Sequence, residues 1–130
     1  MCAQQQVTLK MVQEAQERLA GVAQKTGLSY TNSVSHLSNS QVWLKLENLQ
    51  RTGSFKLRGA YNKVAALSDE ERSKGVIAAS AGNHAQGVAL AASVYGCQST
   101  ICMPKHAPLT KVAATKGYGG KVVTYDRYTE

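Results

Sequence analysis

The sequence has little of what marks secreted, metal-binding or membrane proteins. Its 130 residues include 3 cysteines, Cys2, Cys97 and Cys102, without a paired CxxC spacing, so neither a disulfide framework nor a zinc site is predicted. Cys102 alternates with Ile101 in an apolar run and is predicted to pack in the core. The chain has no apolar run long enough to cross a membrane and no charged-then-apolar signal region at its start. With 43% hydrophobic residues, these absences favour a soluble cytoplasmic protein.

Acidic residues are scarce, with 8 Asp and Glu against 15 Lys and Arg and a net charge of +7. A basic balance of this kind is one mark of a nucleic-acid-binding protein. However, the basic residues are scattered along the chain, and the aromatic residues, 6% of the total, show no stacking spacing. Four of the cations, Lys45, Arg51, Lys56 and Arg58, lie in one short segment with a different interpretation. Nucleic-acid binding is therefore not predicted.

Hydrophobic spacing predicts an α/β fold. An amphipathic helix begins after Thr8 as its N-cap and ends near Gly27, residues 31–41 form a loop, and residues 42–47 form a half-buried strand. From Val76 the predicted order is strand, helix, strand, helix and strand. Such an alternation indicates a parallel sheet with flanking helices and right-handed crossovers.

Several short signals refine this outline. Ser68 and Glu71 fit a capping box, and Gly96 fits the C-terminal cap of the helix that follows residue 82. The glycine cluster of residues 117–120 is predicted to be a helix-ending turn. Gly59 lies inside a predicted helix, where it lowers stability relative to alanine, which suggests a close backbone approach there.

Lys56 is the most informative residue of the chain. It lies in the run QRTGSFKLRGA (residues 50–60), after a predicted strand and at the start of a predicted helix with Ser54 as N-cap. This places an amine at the carboxyl end of a strand, where open α/β folds bind their ligands. An amine buried there has a lowered pKa and can form a Schiff base with a carbonyl group. A solvated surface lysine is the alternative interpretation.

A second segment, VIAASAGNHAQG (residues 76–87), reads as a strand, a turn of small residues and a helix. Such a turn at a helix N-terminus leaves backbone N–H groups free to bind an anion, and the helix dipole favours negative charge there. Asn83 adds a carboxamide that can donate or accept a hydrogen bond. The alternative is an ordinary strand-to-helix turn in which serine and asparagine only cap the helix.

The two segments together resemble the fold-type II pyridoxal-phosphate enzymes, and most closely the threonine/serine dehydratase (ammonia-lyase) branch, with serine racemases close by. The residues that carry the resemblance are ENLQRTGSFKLRGA (47–60) and SAGNHAQG (80–87), in the order and at the separation found in that family. The resemblance implies pyridoxal 5'-phosphate as cofactor and a two-lobed enzyme. Residues 1–50 would belong to the large cofactor lobe and residues 51–130 to most of the small α/β lobe.

The resemblance also implies roles for individual residues. Lys56 looks like the lysine that holds the cofactor covalently and then moves protons, Phe55 like the aromatic residue beside its ring, and Asn83 like the amide that bonds its 3-hydroxyl oxygen. The loop of residues 80–84 resembles the one that grips the substrate carboxylate. That loop consists of Ser80, Ala81, Gly82, Asn83 and His84.

The implied reaction is the β-elimination of L-threonine to 2-oxobutanoate, or of L-serine to pyruvate, with release of ammonia. Serine racemases carry a serine where this chain has Ala81, and that serine is their second acid/base. A methyl group cannot transfer a proton, so Ala81 favours a dehydratase over a racemase. A racemase-like enzyme and a non-catalytic segment that only binds a ligand or partner remain as alternatives.

The same branch implies a homo-oligomer and a nucleotide effector site near a subunit interface. Its contacts fall on four effector positions, which are Arg51, Thr52, Gln86 and Tyr118. Each of these also makes sense as a solvated surface residue. The glycine-rich loop that holds the cofactor phosphate in the family has no match here, since residues 117–120 differ in place and pattern. The chain is therefore expected to be the N-terminal part of a longer enzyme and inactive alone.

Overall fold

The computed structural model describes residues 6–126 and residue 128, so that Cys2 lies outside the described part. In this part no helix is long and apolar enough to cross a membrane, and no group of three or more His, Cys, Asp or Glu side chains could hold a metal ion. The elements in chain order are α1 (Leu9–Arg18), β1 (Leu28–Tyr30), α2 (Asn32–Ser38), β2 (Trp43–Lys45), a 3₁₀ turn (Glu47–Leu49), α3 (Lys56–Ala65), α4 (Asp69–Ser73), β3 (Val76–Ala79), α5 (Asn83–Val94), β4 (Ser99–Pro104), α6 (Leu109–Gly117) and β5 (Lys121–Tyr125).

A parallel sheet of three strands, in the order β3-β4-β5, forms the framework of the second half of the chain. The middle strand, β4, alternates buried and half-buried residues, and its Ile101 and Met103 are fully buried. Cys102 is half-buried on the same strand and lies opposite Ala79 of β3. The predicted α/β fold with a parallel sheet and flanking helices is confirmed.

Helix α5 is the centre of the packing. Residues 85–92 are all buried, so the helix is enclosed on every side and does not present one apolar face. On one side Ala85 and Val88 pack with Ile101 and Met103 of the sheet. The second cluster lies between α5 and α3 and consists of Leu57, Tyr61, Val64, Leu90 and Ala91. The two clusters join the helix that begins at Lys56 to the sheet.

Helices α3 and α5 are in close contact at Gly87. A Cβ atom there would lie 3.2 Å from Cβ of Ala60, 3.3 Å from the carbonyl oxygen of Lys56 and 3.5 Å from Cα of Leu57. At Gly59, in contrast, a Cβ atom would meet nothing within 4 Å. The predicted close backbone approach at Gly59 is not found among the described residues, where Gly59 lines the cavity beside Lys56 and the close contact between the helices is made at Gly87.

The first half of the chain differs most from expectation. Thr8 caps α1 as predicted, accepting a hydrogen bond from the Met11 N–H at 3.3 Å, but α1 ends at Arg18 and does not reach Gly27. Gly21, with a φ of 78°, turns the chain just beyond. Residues 31–41, predicted as a loop, contain helix α2, which ends where Asn39 takes a left-handed φ of 50°.

Strands β1 and β2 form a two-stranded antiparallel ribbon in which Tyr30 pairs with Trp43. The two rings pack edge to face with centroids 5.2 Å apart. All three residues of β2 are exposed, so the prediction of a half-buried strand over 42–47 is wrong in burial and too long. The apolar alternation correctly predicts a strand. Its residues are exposed because, within the described residues, no helix or sheet covers the ribbon.

The local signals are confirmed. Ser68 and Glu71 form a capping box, with the Glu71 carboxylate accepting from the Ser68 N–H at 2.7 Å and the Ser68 hydroxyl accepting from the Glu71 N–H at 3.2 Å. These bonds lower the pKa of the Glu71 carboxyl. Gly96 follows α5 with a φ of 61°, and Gly119 turns the chain after α6 with a φ of 88°.

Candidate active site

Lys56 is the first residue of α3, and the turn before it fixes its place. Gly53, at a φ of 69°, donates from its N–H to the carbonyl of Gln50 at 2.7 Å. The hydroxyl of Ser54 accepts from the Lys56 N–H at 3.3 Å, but the N-cap of α3 is Phe55 and its side chain makes no cap hydrogen bond, so the prediction of Ser54 as the N-cap is wrong by one residue. The preceding strand, however, belongs to the antiparallel ribbon, and a 3₁₀ turn separates it from Lys56. Lys56 therefore follows a strand in the sequence, as predicted, but does not lie directly at its carboxyl end.

The side chain of Lys56 is exposed and borders a cavity of about 320 Å³. The same cavity is lined by Phe55, Gly59, Ala60 and His84. Phe55 is 62% exposed, so its ring is available to a ligand. The fold thus brings an amine, an aromatic ring and an imidazole from two separate sequence segments to one cavity.

The 80–84 loop connects β3 to α5. Ser80 continues the sheet through a hydrogen bond from its N–H to the carbonyl of Cys102 at 3.0 Å, and its hydroxyl accepts from the Gly82 N–H at 3.3 Å. Asn83 and His84 then begin α5, where the first N–H groups have no partner within the helix and can bind an anion. Neither serine nor asparagine caps α5 through its side chain, so the interpretation as a merely capped turn is wrong.

The side chain of Asn83 contacts a residue that the sequence did not single out. The Lys111 ammonium, from the first turn of α6, donates to Oδ1 of Asn83 at 2.6 Å. The only sequence signal was the place of Lys111, because the first turn of a helix that follows a parallel strand lies at the carboxyl edge of the sheet.

A second cluster, also missed, holds the segment before Lys56. The Glu47 carboxylate accepts from Nε and Nη2 of Arg58 at 2.8 and 2.9 Å, and from the Thr26 hydroxyl at 2.7 Å. Gln50 bonds the backbone N–H and carbonyl of Gln24 at 3.0 and 2.9 Å. The hydrogen bonds from the Arg58 side chain, aided by those from Thr26 and Gln50 and opposed by burial, lower the pKa of Glu47 to about 2.

This cluster changes the interpretation of the cations near Lys56. The Arg58 guanidinium is used by Glu47 and by the carbonyl of Gln24, and the Lys45 ammonium donates to the carbonyl of Thr26. Two of the four cations in the segment therefore hold the backbone, and they are not free to bind a cofactor.

The four effector positions fall into two pairs. The Tyr118 hydroxyl donates to the backbone carbonyl of Arg51 at 2.6 Å, which joins the end of α6 to the turn before α3. Thr52 and Gln86 are 3% and 6% exposed, so the interpretation as solvated surface residues is wrong for both. Thr52 Oγ1 and Gln86 Nε2 have no hydrogen-bond partner among the described residues. Buried polar groups without a partner are costly, which makes them candidates for ligand contacts.

The residues around the cavity fit pyridoxal phosphate. Lys56 supplies an amine that can bond to an aldehyde, Phe55 an aromatic face, and Ala60 a small apolar wall, while Asn83 and the start of α5 supply amide groups. Together with the parallel sheet and its flanking helices, this arrangement defines a fold-type II pyridoxal-phosphate enzyme. The model of the family described as pyridoxal-phosphate dependent enzyme matches residues 19–130, and the chain therefore belongs to this family.

Individual relatives agree with this class. The chain is 54% identical over 117 residues to an L-threonine ammonia-lyase of Thermotoga maritima, covering 90% of this chain and 29% of the relative. It is 50% identical over 119 residues to a catabolic L-threonine dehydratase of Escherichia coli, covering 92% of this chain and 36% of the relative. The structure of maize serine racemase superposes with a TM-score of 0.87 at 38% identity, covering 95% of this chain and 37% of that one. The chain thus spans about a third of the length of these proteins.

Proposed function

We propose that the complete protein is a pyridoxal-phosphate-dependent ammonia-lyase. It would convert L-threonine to 2-oxobutanoate and ammonia, or L-serine to pyruvate and ammonia. The observation that carries the proposal is the cavity at which Lys56, Phe55 and His84 meet. Relatives at 50% and 54% identity that are named for threonine elimination support the choice of reaction.

Different residues have different roles in this reaction. Lys56 would hold the cofactor through its side-chain amine and would act as the base that removes the α-proton of the substrate. The free N–H groups at the start of α5 bind the substrate carboxylate, which orients the α-carbon toward that amine. Bound pyridoxal phosphate supplies the electron sink that makes loss of the α-proton and of the β-hydroxyl feasible.

Ala81 supports elimination over racemisation. Its side chain is half-buried and packs against the core cluster of the sheet and α5, and it offers no atom that can transfer a proton. Elimination needs a base on one face of the substrate only, whereas racemisation needs a second acid on the opposite face. A serine racemase-like activity stays as the alternative, because the structural likeness to maize serine racemase is close.

The experiment that tests the proposal compares two lysines of the same helix in the complete protein. Lys56→Ala should abolish both ammonia release from L-threonine and the absorbance of covalently bound pyridoxal phosphate. Lys63→Ala, an exposed lysine on α3, should change neither. Normal turnover by Lys56→Ala would contradict the proposal. A wild-type protein that binds pyridoxal phosphate without turnover would favour the non-catalytic alternative.

Regulation by a nucleotide is a second proposal for the same protein. The buried Thr52 Oγ1 and Gln86 Nε2 without partners support it, since a ligand in contact with them would supply the missing hydrogen bonds. Arg51 is exposed and its guanidinium can pair with a phosphate. An effector of this kind activates only if it binds two states of the enzyme with different affinity.

We also propose the larger organisation implied by the family. Residues 1–50 would contribute to the large cofactor lobe and residues 51–130 to the small lobe, in a cytoplasmic homo-oligomer. The exposed aromatic ribbon of Tyr30 and Trp43 is consistent with a position between further parts of the enzyme. The oligomeric state of the complete protein, measured by sedimentation with and without nucleotide, tests this organisation.

A further inference from the structure

We propose that Lys111 is a positioning residue that fixes the carboxamide of Asn83, so that its Nδ2 group and not its oxygen is presented to the cofactor. The inference rests on the proposed function and on the role that the family resemblance implies for Asn83, a hydrogen bond to the ring oxygen of pyridoxal phosphate. It adds a residue from a third segment of the chain to the site.

The hydrogen bond itself sets the orientation. Lys111 Nζ lies 2.6 Å from Asn83 Oδ1, and the pair is partly buried. An ammonium group has three donors and no acceptor, so it can bond only the oxygen of a carboxamide. A half-turn of the amide would place its NH₂ group against the ammonium and lose the bond. Lys111 therefore leaves Nδ2, with its two donors, free for another partner.

The place of Lys111 in its helix argues for a role beyond helix stability. It is the third residue of α6, and a cation at a helix N-terminus is disfavoured by the helix dipole. Lys116 lies in the last turn of the same helix, where a cation is favoured. The contact with Asn83, the first residue of α5, gives the ammonium of Lys111 a partner that offsets this unfavourable position.

The contact also changes the strength of the donor. An ammonium at the amide oxygen draws electron density away from the amide nitrogen, which makes the Nδ2 hydrogens better donors, because hydrogen bonds in a chain polarise one another. A strong donor stabilises the ionised form of a ring hydroxyl. We therefore expect Lys111 to influence both the affinity for pyridoxal phosphate and the protonation of its ring oxygen, although Lys111 acts through Asn83.

The test is a double-mutant cycle in the complete protein, with pyridoxal phosphate as the probe and its dissociation constant as the readout. Lys111→Met and Asn83→Ala should each weaken binding by about tenfold, the usual effect of losing a charge-assisted hydrogen bond. The double variant should bind no more weakly than Asn83→Ala alone, because residues that act as a unit are not additive. Lys116→Met, also on α6 but in its last turn, should bind like the wild type.

A spectroscopic readout separates positioning from a purely structural role. Lys111→Met should shift the absorption maximum of bound pyridoxal phosphate, and Lys111→Arg should restore it in part, since both cationic side chains donate to Oδ1. The melting temperature of the cofactor-free protein should not distinguish Lys111→Met from Lys116→Met. If Lys111→Met does not fold, Lys111→Ala, which also removes the donor, replaces it in the cycle.

Three outcomes would overturn the inference. The first is independent, additive losses in the double variant, and the second is unchanged affinity and absorption in Lys111→Met. The third is unchanged binding in Asn83→Ala, which removes the role of Asn83 itself. Each of these can be observed while wild-type turnover still depends on Lys56, whereas failure of the proposed function would show as no Lys56-dependent ammonia release by the wild type. The two failures are therefore distinguishable.

Discussion

The Glu47 carboxylate accepts two parallel hydrogen bonds from the Arg58 guanidinium, at 2.8 and 2.9 Å. Arg58 lies two residues after Lys56 on α3, and Glu47 lies in the 3₁₀ turn before it. The pair therefore connects a residue before Lys56 with a residue after it. A bidentate pair of this kind has a defined geometry as well as a favourable energy, so it holds the start of α3 against the 3₁₀ turn.

The pair makes stability depend on pH in the acidic range. The pKa of Glu47 is lowered from 4.5 to about 2 in the folded state by the Arg58 hydrogen bonds. Its contribution is therefore present above pH 4.5 and is lost as the pH falls toward 2. We expect Glu47→Gln to lower the free energy of unfolding by about 2 kcal/mol at pH 7 and much less near pH 2. Urea unfolding of the wild type and of Glu47→Gln at pH values between 2 and 7 measures these differences in the free energy of unfolding.

The control for this prediction is an exposed ion pair. Glu70 Oε1 lies 2.8 Å from Lys74 Nζ, with the Glu70 side chain 80% exposed. Because exposed pairs contribute little, Glu70→Gln should change stability by less than about 0.5 kcal/mol at either pH. Equal effects of the two substitutions at pH 7 would show that the Glu47 pair contributes no more than a surface pair.

Two helical glycines should respond to alanine in opposite directions. The methyl of Gly59→Ala would meet nothing within 4 Å among residues 6–126 and 128, so this variant should raise the free energy of unfolding by up to about 1 kcal/mol through helix propensity. Gly87→Ala gains the same propensity but forces its methyl to within 3.3 Å of the Lys56 carbonyl oxygen. Overpacking costs about 1–3 kcal/mol, so we expect a net loss of about 1 kcal/mol. Thermal unfolding of both variants checks the signs, and stabilisation by Gly87→Ala would show that α3 and α5 can separate freely.

Introducing a hydroxyl at Ala81 should add a second proton-transfer group to the site. In the complete protein, Ala81→Ser should form D-serine from L-serine measurably, while the wild type forms pyruvate with little D-serine. Chiral chromatography of the reaction mixture separates the two products. Rapid D-serine formation by the wild type would mean that another residue supplies the proton on the opposite face.

The buried hydroxyl of Thr52 gives a prediction about the stability of the ligand-free protein and a second one about its response to nucleotides. Its Oγ1 has no partner in the described part of the chain, so Thr52→Val should stabilise the ligand-free protein by about 1 kcal/mol. The same variant should lose any response of turnover to AMP or ATP. Thr110→Val, at an exposed position, should do neither. A destabilised Thr52→Val would indicate a partner that the described residues do not include.

The second half of the chain was predictable because its signals are local. The capping box at Ser68, the glycine after α5 and the apolar strands around Ile101 each follow from short-range rules. The two sequence motifs indicated that Lys56 and the 80–84 loop belong to one site. Their meeting at a single cavity needed only the packing of α3 on α5, which buried apolar faces of both helices.

The features that were missed depend on contacts between distant residues. Lys111 and Asn83 are 28 positions apart, and no periodicity connects them. The burial of Thr52, which is 3% exposed, could not be predicted from a polar residue in a turn. The short helix at 32–38 was not predicted because its sequence is rich in serine and asparagine. Their side chains compete for backbone hydrogen bonds, which weakens the sequence signal for a helix.

Core packing usually affects two properties together, the stability of the protein and the spacing of its helices. The contact at Gly87 separates these two properties. A Cβ atom at Gly87 would lie 3.2 Å from the Ala60 Cβ and 3.3 and 3.5 Å from main-chain atoms of Lys56 and Leu57, so main-chain atoms of α3 help to exclude a side chain at this position of α5. Side-chain substitutions elsewhere in the core would alter how stable the protein is, but they would leave the spacing between the Lys56 amine and the 80–84 loop nearly unchanged. We therefore expect the placement of Lys56 relative to the 80–84 loop to depend more on Gly87 than on the identity of other core side chains.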